Sequence, residues 1–206
     1  MLTILLLMKF NNNIKFSVIC ILAFFYSAMR FNSGWDFFNY LELIQSGDYY
    51  RIEPISRLLL EIAYNTHIQF FFILTSFIFI FFVYKVYKNI SKNNVISLVG
   101  YSSIFFLPIG FLLSLDRVRQ FSAIIILLYI FTMSGKNNLA KPLLGVSAVL
   151  LHYTALIFLP LLFFRKILSK KISFYIQFLS LCFCFFILPK IAIFLSNFLG
   201  LYTDYY

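Results

Sequence analysis

The chain has 206 residues, of which 62% are hydrophobic and 12% charged, and its mean hydropathy is +0.92. This composition leaves too little polar surface for a water-soluble domain. The net charge of +10 does not indicate nucleic-acid binding, because Lys and Arg form short clusters between apolar runs, as in the cytoplasmic loops of membrane proteins. We therefore predict a single all-α integral membrane domain, residues 1–206.

Long apolar runs, rather than short alternating strands, recur along the chain. Several approach the ~20 residues that a helical membrane span requires, which predicts a polytopic helix bundle with about five full spans. After a short apolar stub at the N-terminus, the predicted spans are Phe16–Met29, Ile68–Tyr84, Val95–Leu113, Gln120–Met133 and Ile172–Leu199. Pro108 and Gly110 are expected to bend the third of these spans.

The long polar interval at about residues 30–67 is predicted to be an outer loop. We expect two short amphipathic helices in it, lying on the outer membrane face. The first would follow Asp36 as N-cap and the second would begin at Pro54, with Arg57 and Glu61 paired on its polar face. The predicted apolar faces are Phe37, Tyr40, Leu41 and Ile44 in the first helix and Ile55, Leu58, Leu59 and Ile62 in the second.

The distribution of charge orients the predicted bundle. Most basic residues, including the four of "RKILSKK", fall on the side that we assign to the cytoplasm, and all seven acidic residues fall on the other side. The excess of Lys and Arg on one side sets orientation, so we predict a multi-pass protein whose N-terminus is cytoplasmic.

The run Pro142–Phe164 contains His152 near its middle. A single crossing would place the charges of "RKILSKK" outside, so we predict a re-entrant pair of short helices that breaks near His152. An ionisable side chain within the membrane is a candidate functional residue, and an imidazole can act as acid or base near neutral pH. The alternative is a neutral His152 that is hydrogen-bonded to a neighbouring backbone carbonyl.

Three charges, Asp116, Arg117 and Arg119, lie within four residues in "SLDRVRQFSAIIILLYIFT". The predicted helix that follows is about 21 Å long, shorter than the hydrocarbon core of about 30 Å. Asp116 can neutralise only one arginine, so the other should keep an unmatched charge at a helix N-terminus and bind phosphate or diphosphate. The alternative is that both arginines extend to lipid headgroups.

Two outer carboxylates, Asp36 in "GWDFFNY" and Glu53 in "IEP", are further candidate bases. Trp35 adjoins Asp36, and aromatic side chains beside a carboxylate are typical of sugar-binding surfaces. The alternative is an aromatic belt at the membrane interface with solvated acids. No CxxC pair or metal-ligand spacing occurs in the sequence, so neither a metal nor another cofactor is predicted.

Four stretches, in this order, resemble the EpsG/Wzy-type polysaccharide polymerase family. "MRFNSGWDFFNYLELI" resembles the family's Arg followed by Gly-x-Asp-x-x-x-Tyr, and "IEPISRLLL" resembles its Glu-Pro segment. "RVRQFSAIIILL" resembles its Arg-Gln followed by small and apolar residues, and "LHYTALIFLPLL" its His-x-(Ser/Thr)-Ala-Leu-Ile run. The joint order and spacing of these stretches carry the resemblance.

The resemblance implies a glycosyltransferase of the bacterial inner membrane that works without a metal. It would join oligosaccharide repeat units carried on undecaprenyl diphosphate into O antigen, capsule or exopolysaccharide at the outer face. Its partners would be the lipid-linked oligosaccharide, the bilayer, a flippase and a chain-length regulator. By position, the resemblance assigns the lipid diphosphate to Arg119, Arg117 and Gln120, the acceptor hydroxyl to His152, Asp36 or Glu53, and the sugar-receiving loop to Arg30, Trp35 and Tyr40.

Two other functions stay open at the level of sequence. Members of the family are usually longer, with further spans after the His segment, so an inactive, shortened copy lacking spans after residue 206 is one alternative. A transporter or flippase for lipid-linked sugars is the other, and it would use the same cationic clamp. A transporter should show repeated halves with polar residues in several spans, and this sequence has no such repeat.

Overall fold

A computed structural model of the chain describes residues 11–31, 35–50, 52–91, 95–106, 114–115, 117–133 and 139–156, all within the unit Met1–Leu162. Throughout these ranges the secondary structure is helix and turn, without strands. The helices there are α1 (Asn12–Ala28), α2 (Trp35–Ser46), α3 (Pro54–Asn65), α4 (Ile68–Ile90), α5 (Val95–Phe106), α6 (Val118–Thr132) and α7 (Ala140–Leu151). The prediction of an all-α chain is therefore confirmed for the described residues.

Helix α4 is the most apolar long element. Its best 18 consecutive residues have a mean hydropathy of 2.1, and among the described residues it alone is long and apolar enough to cross a membrane. It begins at Ile68, as predicted, and continues past Tyr84 to Ile90. Helices α1, α6 and α7 are shorter apolar helices, so the number of full spans stays a prediction. Residues 107–113, with the predicted bend, and the predicted last span lie outside the described residues.

Helix α4 packs between α1 and α6. It is antiparallel to α1, because Phe16 stacks on Tyr87 with ring centroids 3.9 Å apart near one end, and Ser27 hydrogen-bonds to Ser76 near the other, with the hydroxyls 2.6 Å apart. This pairing agrees with the predicted alternation of the first two spans. The close approach of small hydroxyl side chains is typical of packing between membrane helices.

Helix α6 runs parallel to α4. The Ser122 hydroxyl donates to the carbonyl of Thr75 at 3.5 Å, and the Asn89 amide donates to the hydroxyl of Thr132 at 3.1 Å. Helix α7 packs on α6. The beginnings of α4 and α6 therefore lie at the same end of the bundle, as the predicted topology requires.

The two predicted loop helices form, with one correction each. Phe37, Tyr40 and Ile44 are buried as predicted, but Asp36 lies inside the first turn of α2 and is not its N-cap. In α3, Pro54 occupies the first turn as predicted, and the Arg57–Glu61 ion pair forms at 2.7 Å. Its buried residues are Ser56, Leu59, Leu60 and Ala63, whereas Leu58 and Ile62 are exposed. The face that α3 buries against the protein therefore differs from its predicted apolar face, of which only Leu59 is buried.

Helix α7 ends where the sequence predicts a break. Its last residue is Leu151, and His152 follows as C-cap in an extended conformation, with φ −159° and ψ 122°. Tyr153 and Thr154 then form a turn. The second helix of the predicted re-entrant pair lies beyond residue 156, outside the described part of the chain.

Candidate active site

The candidate site lies where the N-terminus of α3, the first turn of α6 and the C-terminal end of α7 meet. Glu53 is the N-cap residue of α3, and Pro54 follows it inside the helix, where a missing N–H is tolerated. The Glu53 side chain makes no capping hydrogen bond to its own helix. Its carboxylate is therefore available to the neighbouring helices.

The Glu53 carboxylate binds three donors from two other segments. Its Oε2 accepts a hydrogen bond from Nη1 of Arg119 at 2.6 Å. Its Oε1 lies 2.6 Å from Nδ1 of His152 and accepts a hydrogen bond from the backbone N–H of Tyr153 at 3.2 Å. The side chain of Glu53 is only 7% exposed, so the charge is compensated by protein rather than by water.

The surroundings of Glu53 favour its ionised form. Burial raises the pKa of Glu53, but the hydrogen bond from His152, the positive charge of Arg119 and smaller contributions from a backbone hydrogen bond and the charge of His152 together lower it by more. The resulting pKa lies below the ordinary value of 4.5, so Glu53 is a carboxylate at neutral pH. A carboxylate with a low pKa and occupied oxygens is a weak proton acceptor, which favours a structural or orienting role over a role as general base.

His152 is oriented by its contact with Glu53. Because the carboxylate only accepts, Nδ1 must carry the proton that it donates, and Nε2 then carries a lone pair in the neutral ring. The side chain is 16% exposed. The alternative of a histidine bound to a backbone carbonyl is thus replaced by a carboxylate–imidazole pair, the arrangement that holds a histidine in one tautomer in many active sites.

Two acceptors in the described part of the chain bind Arg119. Besides its bond to Glu53, its Nε donates to the hydroxyl oxygen of Tyr40 at 3.2 Å, and its guanidinium carbon lies 5.6 Å from the centre of the Tyr40 ring. Tyr40 is buried and packs on Phe71 with centroids 4.6 Å apart. Burial raises the pKa of Tyr40 above its ordinary value of 10.0, although Arg119 opposes the shift, so the hydroxyl stays protonated.

The two arginines of the predicted clamp differ in environment. Arg119 is part-buried and paired with Glu53, whereas Arg117, the N-cap residue of α6, is exposed. Asp116, the predicted partner within the cluster, lies outside the described residues. The carboxylate that pairs with Arg119 in the described part of the chain is that of Glu53, a partner that the sequence analysis did not consider for it.

The remaining predicted site residues have the following surroundings. The Arg30 guanidinium is buried 4.2 Å above the centre of the Phe72 ring and donates to the carbonyl of Leu115. Asp36 is part-buried in α2 and accepts from Asn39 at 3.5 Å. Gln120 is part-buried in the first turn of α6. Trp35 begins α2, and its side chain lies outside the described part.

Sequence reasoning missed two contributors to this site. One is the backbone N–H of Tyr153, which binds Glu53. The other is Ser56, a fully buried residue whose hydroxyl donates to the carbonyl of Leu151 at 2.6 Å. A signal for Ser56 was present, because it follows Glu53 by three residues and so shares a face of α3 with it. In the part of the chain that the structure describes, no three His, Cys, Asp or Glu side chains converge as metal ligands would.

Comparison with known proteins shows the family of the chain. The model of the EpsG family matches residues 13–206, which is nearly the whole chain. Among curated proteins and solved structures, none matches the chain significantly.

Proposed function

Because the chain belongs to the EpsG family, we propose that it polymerises surface polysaccharide by joining oligosaccharide repeat units carried on undecaprenyl diphosphate. Family membership supports a membrane protein with a polysaccharide polymerase-type role. The reaction is a glycosyl transfer at the outer face of the inner membrane. The observation that carries this proposal is the buried Glu53–His152 pair beside a cationic helix start.

In the proposed reaction, His152 is the general base. Nε2 of His152 takes the proton of an acceptor hydroxyl while that oxygen forms a bond to the anomeric carbon of the donor sugar. The bond between this carbon and the diphosphate oxygen breaks, and undecaprenyl diphosphate leaves with the electron pair. Glu53 holds the Nδ1 proton and stabilises the imidazolium that forms, the role of the carboxylate in other carboxylate–histidine pairs.

Arg119 and Arg117 are proposed to bind the diphosphate that becomes the leaving group. Guanidinium groups bind phosphate oxygens in a planar, two-pronged geometry, and the start of a helix favours anions. Arg117 contributes an exposed charge at the N-cap of α6, and Arg119, fixed by Glu53 and Tyr40, contributes a charge in a defined position. Gln120 lies in the same turn and is assigned to the same ligand.

The sugar-receiving surface is proposed to lie on the outer loop, with Asp36 and Trp35 at the start of α2. Arg30 would act there by holding the loop rather than by touching sugar, since its guanidinium is buried against Phe72. Tyr40 would likewise act through Arg119. Arg30 and Tyr40 are thus proposed to support the site, and Asp36 and Trp35 are the candidates for direct contact with sugar.

The proposal includes a cellular setting. The N-terminus is cytoplasmic, the spans cross the bacterial inner membrane, and the site opens to the outer face, as the excess of Lys and Arg in the predicted cytoplasmic loops supports. A flippase would deliver the lipid-linked oligosaccharide, and a chain-length regulator would act on the growing polymer. The product is O antigen, capsule or exopolysaccharide.

The test is complementation of a strain whose own gene has been deleted. The parent chain, His152→Ala and His67→Asn are expressed, and the length of the polysaccharide is compared on a gel at equal protein levels. His67 is a matched control, because it is the other of the two histidines in the chain. It is the N-cap residue of α4, a role that Asn also fills. We expect long ladders from the parent and His67→Asn, and single repeat units from His152→Ala.

Two results would contradict the proposal. Ladders of parental length with His152→Ala would exclude His152 as base. Repeat units that stay on the cytoplasmic side of the membrane in the deletion strain would indicate the transporter instead. If the parent chain restores no ladders, the hypothesis of an inactive copy is favoured.

A further inference from the structure

Two side chains at the start of α3 bind the backbone on either side of the break after α7. The Ser56 hydroxyl donates to the carbonyl of Leu151, the residue before His152, at 2.6 Å. The Glu53 carboxylate accepts from the N–H of Tyr153, the residue after His152, at 3.2 Å. The backbone on both sides of His152 is therefore bound to one helical turn.

The end of α7 needs such a contact. The last carbonyls of a helix lack partners within the helix, and many helices end with a Gly in the left-handed conformation that satisfies them. Here His152 occupies the C-cap in an extended conformation, and the next residues are Tyr153 and Thr154. Ser56 is 0% exposed, so no water competes for the hydrogen bond to Leu151.

We infer that Ser56 is a positioning residue for His152. Glu53 and Ser56 are three residues apart, so α3 presents both to α7 on one face. Together they set where α7 ends and where the imidazole lies relative to the Glu53 carboxylate. This inference rests on the proposed role of His152 as base, and it adds a residue that never touches substrate.

The geometry can be measured without substrate. The chain contains two histidines, so the His67→Asn variant labelled with ¹⁵N-histidine gives signals from His152 alone. When the His67→Asn variant with Ser56 intact is reconstituted in nanodiscs at pH 8, the ¹⁵N shifts of His152 should report that Nδ1 is protonated and Nε2 is not. Ser56→Ala should shift the population toward the Nε2-protonated tautomer, because the imidazole is no longer held against Glu53.

The control is Ser122→Ala. Ser122 is also fully buried, and its hydroxyl donates to a backbone carbonyl of α4, that of Thr75. We expect Ser122→Ala to leave the His152 spectrum unchanged. A parental spectrum in Ser56→Ala, or the same change in both variants, would overturn the inference. If Ser56→Ala does not accumulate, Ser56→Cys serves instead, since its thiol is a weak donor, and a parental spectrum there would also refute the inference.

Turnover separates this inference from the proposed function. With lipid-linked repeat units extracted from the deletion strain as substrate, Ser56→Ala should lower kcat about tenfold, as expected for losing one buried hydrogen bond, and change KM less than about twofold. A changed His152 spectrum with unchanged kcat would uphold the positioning and contradict His152 as base. An unchanged spectrum with reduced kcat would contradict the positioning alone.

Discussion

Replacing Glu53 with Gln tests the buried ion pair directly. Gln keeps the volume of the side chain but removes its charge. Its NH₂ group cannot accept a hydrogen bond, so the contact with either Arg119 or His152 is lost. Neutralising one partner of a buried pair commonly lowers stability by about 3–5 kcal/mol. Because the Arg119 side chain is 21% exposed, water partly relieves the loss, and we expect about 3 kcal/mol. For a chain of this size this corresponds to a decrease in Tm of about 6–12 °C.

The assay is thermal unfolding of the whole protein in nanodiscs, followed by circular dichroism. Glu61→Gln is the matched control, since Glu61 also pairs with an arginine at 2.7 Å and lies on the same helix, but is 41% exposed. Exposed pairs of this kind contribute about 0–1 kcal/mol, so its Tm should change by less than about 4 °C. Equal, small shifts in both variants would refute the assignment of Glu53 to a buried pair.

The effect of pH gives the same prediction a second readout. The pKa of Glu53 is lower in the folded protein than its ordinary value of 4.5, so its stabilising effect is present above that value and is lost as the pH falls through the folded pKa. The difference in Tm between the parent and Glu53→Gln should therefore shrink as the pH falls below 4.5. A difference that grows below this pH would contradict the direction of the shift.

Two substitutions test how Arg119 is held. Tyr40→Phe keeps the ring but removes the hydroxyl that accepts a hydrogen bond from Arg119. We therefore expect the KM for extracted lipid-linked repeat units to rise about fivefold, equivalent to about 1 kcal/mol. An unchanged KM would contradict the role of the hydroxyl. Arg119→Lys keeps the charge but cannot bind Glu53 and Tyr40 together, so polymer synthesis should fall about tenfold or more, whereas Arg117→Lys should retain most activity. Equal losses in the two lysine variants would refute the distinction between a fixed and an exposed arginine.

Features set by local chemistry could be predicted from the sequence. The start of α4 at Ile68 follows from the polar-to-apolar change in the chain, and the start of α3 follows from Pro54. The break at His152 was predicted from the balance of charge between loops, and the structure places the end of α7 there. Each of these positions depends on neighbouring residues or on the side of the membrane that a loop occupies.

The buried face of α3 could not be predicted in this way. In water, the apolar stripe of a helix marks its buried side, but lipid is as apolar as a protein core, so apolarity alone does not tell the two apart. The structure buries the small residues Ser56 and Ala63 against neighbouring helices and leaves the larger Leu58 and Ile62 exposed. Small residues permit close packing of membrane helices, and that criterion would have selected the correct face.

The sequence also did not allow us to predict which charged side chains pair with each other. Arg119 binds Glu53, which is 66 residues away in the chain, and no local pattern predicts that contact. His152 is 99 residues from Glu53. The candidate base and its carboxylate were both identified as separate alternatives, and only the packing of α3 on α7 shows that they form one pair.

Stability alone does not account for this pair. A buried ion pair is often no more stabilising than apolar residues of the same volume, because both charges must leave water. Glu53 nevertheless receives donors from Arg119, His152 and a backbone amide, and the helix break that supplies two of them is itself supported by Ser56. In so apolar a chain, buried ionisable groups that bind one another at the interrupted end of a helix mark a candidate functional site.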